Sequence, residues 1–587
     1  MPQSAGMNTR LTPHARLAWI HRMGLAVAAL YALVAATAML SLSPRVPYAD
    51  TWHFDTQLLS HPFPGNVLMV DNGHAQIIPR LLRWLELTQW HGNQWPTIIA
   101  GMLCLAAALL MWITTRATPD GPAESAARAD YRLTRAAWLL TGVVGLCWLG
   151  NGRTLAHGNE AIHSYLIIAC MLGAVRLAIK PGRTRMAAAL ALALLAALTF
   201  GTGAAAFVAI AVVLILRRAN WRALLATLGV ALLAAALYLL LPSAASGTRV
   251  IALHPVLQLS QLARWLGSPW LLAGGPLVDA SVVNKLPAAT RPLAAPFAHV
   301  STALFGPART AVWPELGLGL AGILVLAWLS WQCWRRTGRQ NPVELLALGC
   351  AWFALGCGML VVLARTDYFL QHPDQIYASR YAVWYTLFWC GLLGAALWRL
   401  HAAGRSGSAL ALALTVAIGL LPGTGWNAVR AIHMSRIAVR DALGVRVGVI
   451  DQAGDHGENR IGVMRRARPL LLAARTSIFT PTRGPLVGSQ LDPETPVRSL
   501  HDVSWRAVAN ALEPAAARIG FSMENSNQNH LLLVNARNRI IGEARRAPGQ
   551  NRWQGWVIGP SAPKRVQGVR VADAIVHTSH TPGDSTQ

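Results

Sequence analysis

Residues 186–216 read MAAALALALLAALTFGTGAAAFVAIAVVLIL, 31 positions without a charged side chain. A helix crossing the apolar core of a bilayer needs about 20 mostly apolar residues. This run is too long for one span, and it is broken at Phe200-Gly201-Thr202-Gly203, where glycine weakens the helix. It reads as two short helices joined by a tight turn. Runs of spanning type recur near 24–42, 96–115, 136–150, 161–179, 223–241, 314–334, 344–364, 381–398 and 408–422. With the broken pair they make about eleven spans. The fold class that follows is an all-α polytopic membrane bundle.

Composition agrees. The chain has 587 residues, 54% of them hydrophobic and only 13% charged, where a soluble protein carries about 25% charged residues. Its 51 Lys+Arg against 25 Asp+Glu leave a net charge of +26. Such an excess suggests nucleic acid only when the basic residues share one solvated face. Here they fall in short clusters between apolar runs, which excludes that partner. The seven cysteines all lie in or beside apolar runs and read as small packing residues rather than a disulfide framework. The first run, from about Gly24, has no convincing cleavage motif and reads as a signal anchor.

Basic residues also orient the bundle. With the N-terminus in the cytoplasm, the inner connections hold 18 Lys/Arg in 73 residues and the outer ones 11 in 155, in accord with the positive-inside rule. This predicts a cytoplasmic segment 1–23, a transmembrane domain 24–422 with large outer loops 43–95 and 242–313, and an outer domain 423–587. In that last domain, strand-like runs at 530–534, 539–543, 552–558 and 566–577 predict a small antiparallel β unit within an α+β or β domain. Trp553 and Trp556 read as its core. No carboxylate falls at mid-membrane, where ion-coupled carriers place theirs.

Chemistry is therefore sought in the outer loops. Loop 43–95 holds Asp50 about eight residues past the first span, with Asp55, His74 and Arg80 following. A partly desolvated Asp50 at the membrane surface has the character of a general base for a hydroxyl acceptor; the alternative is that Asp50 and Asp55 solvate the loop or pair with Arg80. Four histidines share this loop, but their spacing matches no compact zinc pattern, so no metal ligand is assigned. Loop 365–380 carries Arg365 and Arg380 before Tyr381; Arg forks suit phosphate oxygens, and pairing with Asp367 and Asp374 is the competing reading. The third loop offers Arg249, Arg264, Lys285 and Arg291, together with an apolar piece, 265–276, too short to span.

The order of these features resembles the GT-C superfamily of integral-membrane glycosyltransferases. The likeness rests on Tyr48-Ala49-Asp50-Thr51-Trp52, on Asn72-Gly73-His74 leading into Ile78-Pro79-Arg80-Leu81-Leu82, on the broken pair at Leu198–Ala204, and on Ala378-Ser379-Arg380-Tyr381 opening a late helix. Many members carry two adjacent acids in the first loop, whereas Ala49 and Thr51 flank Asp50 here. The resemblance implies a bacterial inner-membrane enzyme that moves a sugar from a polyprenyl-phosphate donor to a glycan, lipid or protein acceptor in the cell envelope. Asp50 would be the catalytic base, and Asp55, His74, Arg80, Arg380 and Tyr381 would bind substrate. The lipid-linked sugar is a co-substrate, no cofactor is implied, and a divalent metal is left open. Two other classes stay in view: a transporter or flippase for a lipid-linked solute, and an O-antigen-type polymerase or ligase built on Arg249, Arg264 and Arg380 without Asp50.

Overall fold

A computed structural model describes residues 13–71, 74–115, 125–243, 253–274, 288, 291–305, 312–336, 340–450, 458–500, 503–508, 516–523, 530–546, 552–558 and 570–573. The chain divides into two compact units: Met1–Ser43, Leu68–Pro79 and Thr97–Ile432 form the first, and Pro44–Val67, Arg80–Pro96 and His433–Gln587 the second.

The first unit is helical. Among the described residues, nine helices are long and apolar enough to cross a membrane, which makes this a multi-pass membrane protein. The charge-free run folds as the helix Arg183–Thr199, a 3-10 turn at Gly201–Ala204 and the helix Ala205–Leu216. Gly203 is required at the turn, since a Cβ there would lie 1.9 Å from the carbonyl oxygen of Ala196. The two helices have 17 and 12 residues, each short of a full crossing at 1.5 Å per residue.

Several polar groups inside this bundle are satisfied locally, as a setting away from water favours. Trp112 and Trp138 stack with centroids 4.0 Å apart, and each indole N–H donates to the other's backbone carbonyl at 3.0 and 2.8 Å. Arg399 donates to Glu344 at 2.8 Å and to the carbonyl of Leu329. All seven cysteines are free and six are buried, the packing role read from sequence. The helix Trp221–Leu240 instead exposes Leu225, Leu228, Leu232, Leu239 and Leu240. Lipid is the solvent such a face requires.

The second unit joins pieces of the first outer loop to the C-terminal region. Loop residues form the helices Thr51–Ser60 and Gly65–Leu68 and most of Ile77–Gln89. Two short strands, β1 (Val70–Asp71) and β2 (His74–Ala75), pair within the first unit. The other seven are β3 (Val497–Ser499), β4 (Ser504–Ala507), β5 (Ala516–Ser522), β6 (His530–Val534), β7 (Ile540–Arg546), β8 (Arg552–Ile558) and β9 (Arg570–Asp573). They make one antiparallel sheet in the order β3-β9-β6-β7-β8-β5-β4. Trp553 and Trp556, three residues apart on β8, point to opposite faces. Trp553 packs with Ile519, Phe521, Leu531 and Leu533, and Trp556 with Leu443, Val447 and Val449. Both are core residues, as expected. Pro422 does not end a helix. It is the second residue of Leu421–Val447, a position where its missing N–H costs nothing.

Candidate functional site

The helices Pro255–Gly274 and Trp313–Arg335 approach closely because glycine faces backbone at two places. A Cβ on Gly319 would lie 1.8 Å from the carbonyl oxygen of Ala263, and one on Gly267 would lie 2.1 Å from that of Glu315. The approach sets Arg264 near Glu315, with Arg264 Nε 4.0 Å from Glu315 Oε1. Tyr377, from the 3-10 turn Pro373–Tyr377, joins them. Arg264 Nη2 donates to the Tyr377 hydroxyl at 2.7 Å, the hydroxyl donates to Glu315, and the guanidinium lies 5.6 Å from the Tyr377 ring centre. Glu315 is buried. The charge of Arg264 is thus matched inside the bundle.

Arg380 is not matched in this way. Its Nη2 donates to Gln375 Oε1 at 3.4 Å, its guanidinium lies 5.0 Å from the Tyr381 ring centre, and the hydroxyls of Tyr381 and Tyr368 are further polar neighbours. Among the described residues it forms no ion pair with a carboxylate. Asp374, the expected competitor, accepts from Gln375 at 2.9 Å, and Arg365 lies over Tyr368. The turn Ser379–Tyr381 also packs against Gly152–Leu155, where Arg153 is paired with Glu160.

Beneath Arg380 the site is aromatic. Tyr381 meets Phe369 edge-on at 6.2 Å and Trp265 at 6.4 Å, and Trp265 meets Tyr385 edge-on at 5.4 Å. Trp265 and Tyr385 are fully buried, and neither the indole N–H nor the Tyr385 hydroxyl has a hydrogen-bond partner among the described residues. Such groups are costly to bury unpaired. Trp265 is therefore no membrane-surface anchor, and its stretch is a core helix rather than an interfacial one. On the same helix, Gln258 and Gln261 donate to Thr366, just past Arg365, whose φ of −133° kinks Pro342–Gln371. Arg249 and Lys285 lie outside the described residues.

No protein-family model, curated protein or solved structure matches this chain. The site must be read from its own chemistry.

The first-loop residues take different positions. Asp50 is exposed and occupies the N-cap position of Thr51–Ser60 without a side-chain capping bond; its carbonyl accepts from Phe54 N–H at 3.0 Å. Asp55 is fully buried and gives both oxygens to Arg83 at 2.7 Å. Glu86 lies 3.0 Å from the same guanidinium. Burial alone would lower the Arg83 guanidinium, but the charges of Asp55 and Glu86 outweigh it and hold it above its usual value. Arg83, not Arg80, is thus the partner of Asp55. Both Asp55 oxygens thus accept from a buried guanidinium. Arg80 is also fully buried, donating to Asn66 O at 2.9 Å and Gln57 Oε1 at 2.8 Å, with its guanidinium 4.9 Å from the Phe54 ring centre.

In the first unit, His74 stacks on Phe200 at 4.0 Å, and His163 meets the same ring at 5.6 Å. That contact ties the β1–β2 ribbon to the turn between the two short helices. Asn72 and Gly73 lie outside the described residues. Among those described, no group of three His, Cys, Asp or Glu could hold a metal ion. Tyr377, Glu315 and Trp265 were missed as site residues; the only sequence signal for them was the run of aromatics around Arg264 and Arg380.

Proposed function

We propose that the protein is a membrane glycosyltransferase that takes its sugar from a polyprenyl-phosphate donor, with Arg380 holding the lipid phosphate. One observation carries this reading: a part-buried arginine without a described carboxylate partner stands over a buried aromatic floor in a membrane bundle. The phosphodiester of the lipid-linked sugar supplies the missing negative charge, and a prenyl chain suits apolar walls. In the reaction, the sugar C1–O bond to phosphate breaks, the acceptor oxygen bonds to C1, and the acceptor proton passes to a base. The charge left on the phosphate falls to Arg380. Asp50 has the exposure a base needs, and that role is tested on its own.

The test measures envelope glycan and lipid-linked sugar in cells whose only copy carries Arg380→Ala or Asp50→Asn, at equal protein level in the membrane. Loss of glycan with accumulation of donor in both variants is expected. Full activity of Arg380→Ala would sink the proposal. One observation favours the polymerase or ligase as a second reading: Arg264, Tyr377 and Arg380 all belong to the first unit, so an arginine-based site needs no residue from outside it. Under that reading Asp50→Asn keeps its activity, whereas Arg264→Ala and Arg380→Ala both lose it.

A further inference from the structure

The second unit gathers five basic side chains around one carboxylate. Glu543, on β7, is fully buried; Arg446 Nε donates to its Oε1 at 2.7 Å, and His530 Nε2 lies 2.8 Å from its Oε2. Both oxygens are taken. Arg446 also donates to the carbonyls of Ile478, Gly484 and Pro485, which seats the turn Pro481–Arg483 beside it. Arg483 in turn donates through Nη2 to the carbonyl of Arg45. Arg545 lies two residues past Glu543 on β7, hence on the same face, and opposite His530 across the sheet. Arg45 holds its guanidinium 4.1 Å from the Trp95 ring centre. Among the described residues, Arg45, Arg483 and Arg545 form no ion pair with a carboxylate, the acid nearest them being committed to Arg446 and His530.

These charges repel one another. Burial lowers the Arg483 guanidinium to about 10, and the charges of Arg446, Arg545 and Arg45 push the same way, against Glu543. An arginine held like this is short of an anion. Chain connectivity says where that anion lies. Arg45 follows the helix Pro13–Leu42 by three residues, and Trp95 opens the helix Trp95–Ile113; both helices are candidate spans. The Arg45–Trp95 pair therefore sits at the depth where tryptophan concentrates and lipid phosphates lie.

We propose that Arg45, Arg483 and Arg545 form a phosphate-binding site, distinct from the one at Arg380 and independent of the transferase reading. Arginine forks match phosphate oxygens, and the phosphate comes either from an anionic phospholipid head group or from solution. A bound phosphate offsets the repulsion among the three arginines in the folded chain.

The test is hydrogen exchange of the full-length protein over 478–486 and 540–546. Three samples are compared: phosphatidylcholine nanodiscs alone, the same with phosphatidylglycerol, and phosphatidylcholine nanodiscs with inorganic phosphate against chloride at matched ionic strength. A single-site ligand at about ten times its Kd slows exchange through unfolding about tenfold. Slowing by phosphatidylglycerol but not by inorganic phosphate assigns the head group; slowing by inorganic phosphate assigns the free anion. Equal exchange in all samples overturns the proposal. Arg545→Gln, an exposed residue outside the Glu543 pair, is expected to remove the slowing and leave the unliganded rates in place. Slowing that survives in both Arg545→Gln and Arg483→Gln would place the phosphate elsewhere and overturn it too.

Discussion

At the scale of single residues, the second unit is held by two buried ion clusters, and each makes a prediction. Replacing Arg83 with Met leaves Asp55 and Glu86 buried without their cation. Breaking a buried pair in this way costs about 3–5 kcal/mol, so the second unit should open to protease at a much lower temperature. Glu543 makes the second prediction. Burial alone would raise its carboxyl, but the hydrogen bond from His530 and the charge of Arg446 outweigh burial and hold it below the ordinary 4.5. A lowered folded pKa contributes stability that is complete above the unfolded value and is lost as pH falls through the folded one. Thermal midpoints of the second unit should therefore hold down to about pH 4.5 and fall below it, with Glu543→Gln flattening that acid limb. Sequence reading offered Arg80 as the partner of Asp55, and the structure gives Arg83. The two arginines stand three apart on one helix, and only the third dimension decides which meets the acid. Arg380 stood out in the sequence because a basic residue in an outer connection opposes the positive-inside trend.

At the scale of elements, close helix contact depends on glycine. In a membrane, small residues let backbones approach where no hydrophobic force drives helices together. Gly267 and Gly319 do this beside Arg264 and Glu315. Gly319→Leu should force the two helices apart, an overpacking cost of about 1–3 kcal/mol. It should also abolish glycan synthesis, because Tyr377 loses the geometry that bridges Arg264 to Glu315. Normal activity in Gly319→Leu at normal membrane level would disconnect this pair from function. The strands show what periodicity misses. β6 is a run of apolar residues and β8 opens on alternating exposed and buried positions, and both were readable. β4 has all four positions exposed and carries no hydrophobic pattern to detect, while β5 alternates Ala517, Ile519 and Phe521 with Arg518, Gly520 and Ser522, a pattern the sequence reading passed over. The helix Leu421–Val447 was hidden for another reason, since Pro422 in the first turn looks from sequence like a stop.

At the scale of the molecule, the charge bias makes a prediction about topology. Nine described helices are of spanning type, and the sequence reading of about eleven spans expects the two ends of the bundle on opposite sides. With basic inner connections, a reporter that fluoresces only in the cytoplasm should be bright at the N-terminus and dark after residue 573, and an alkaline phosphatase fusion should behave oppositely. The membrane bundle was legible because apolar run length is a direct physical requirement of the bilayer. The make-up of the second unit was not, because nothing local in 44–96 announces a partner beyond residue 432.

That composite unit carries a consequence in time. Its loop portion is anchored by bonds such as Thr476 Oγ1 to Leu87 O at 3.0 Å and Ser477 N to His91 O at 2.7 Å, yet residues 97–432 must be synthesised between the two halves. At about 5–20 residues per second the ribosome takes about 20–70 s over that stretch. Throughout the wait, the first loop has left the membrane with its docking surface bare. Newly made chains pass through a window in which a protease or a holding chaperone on that side can seize the loop, and the window closes only when the last helix delivers the sheet.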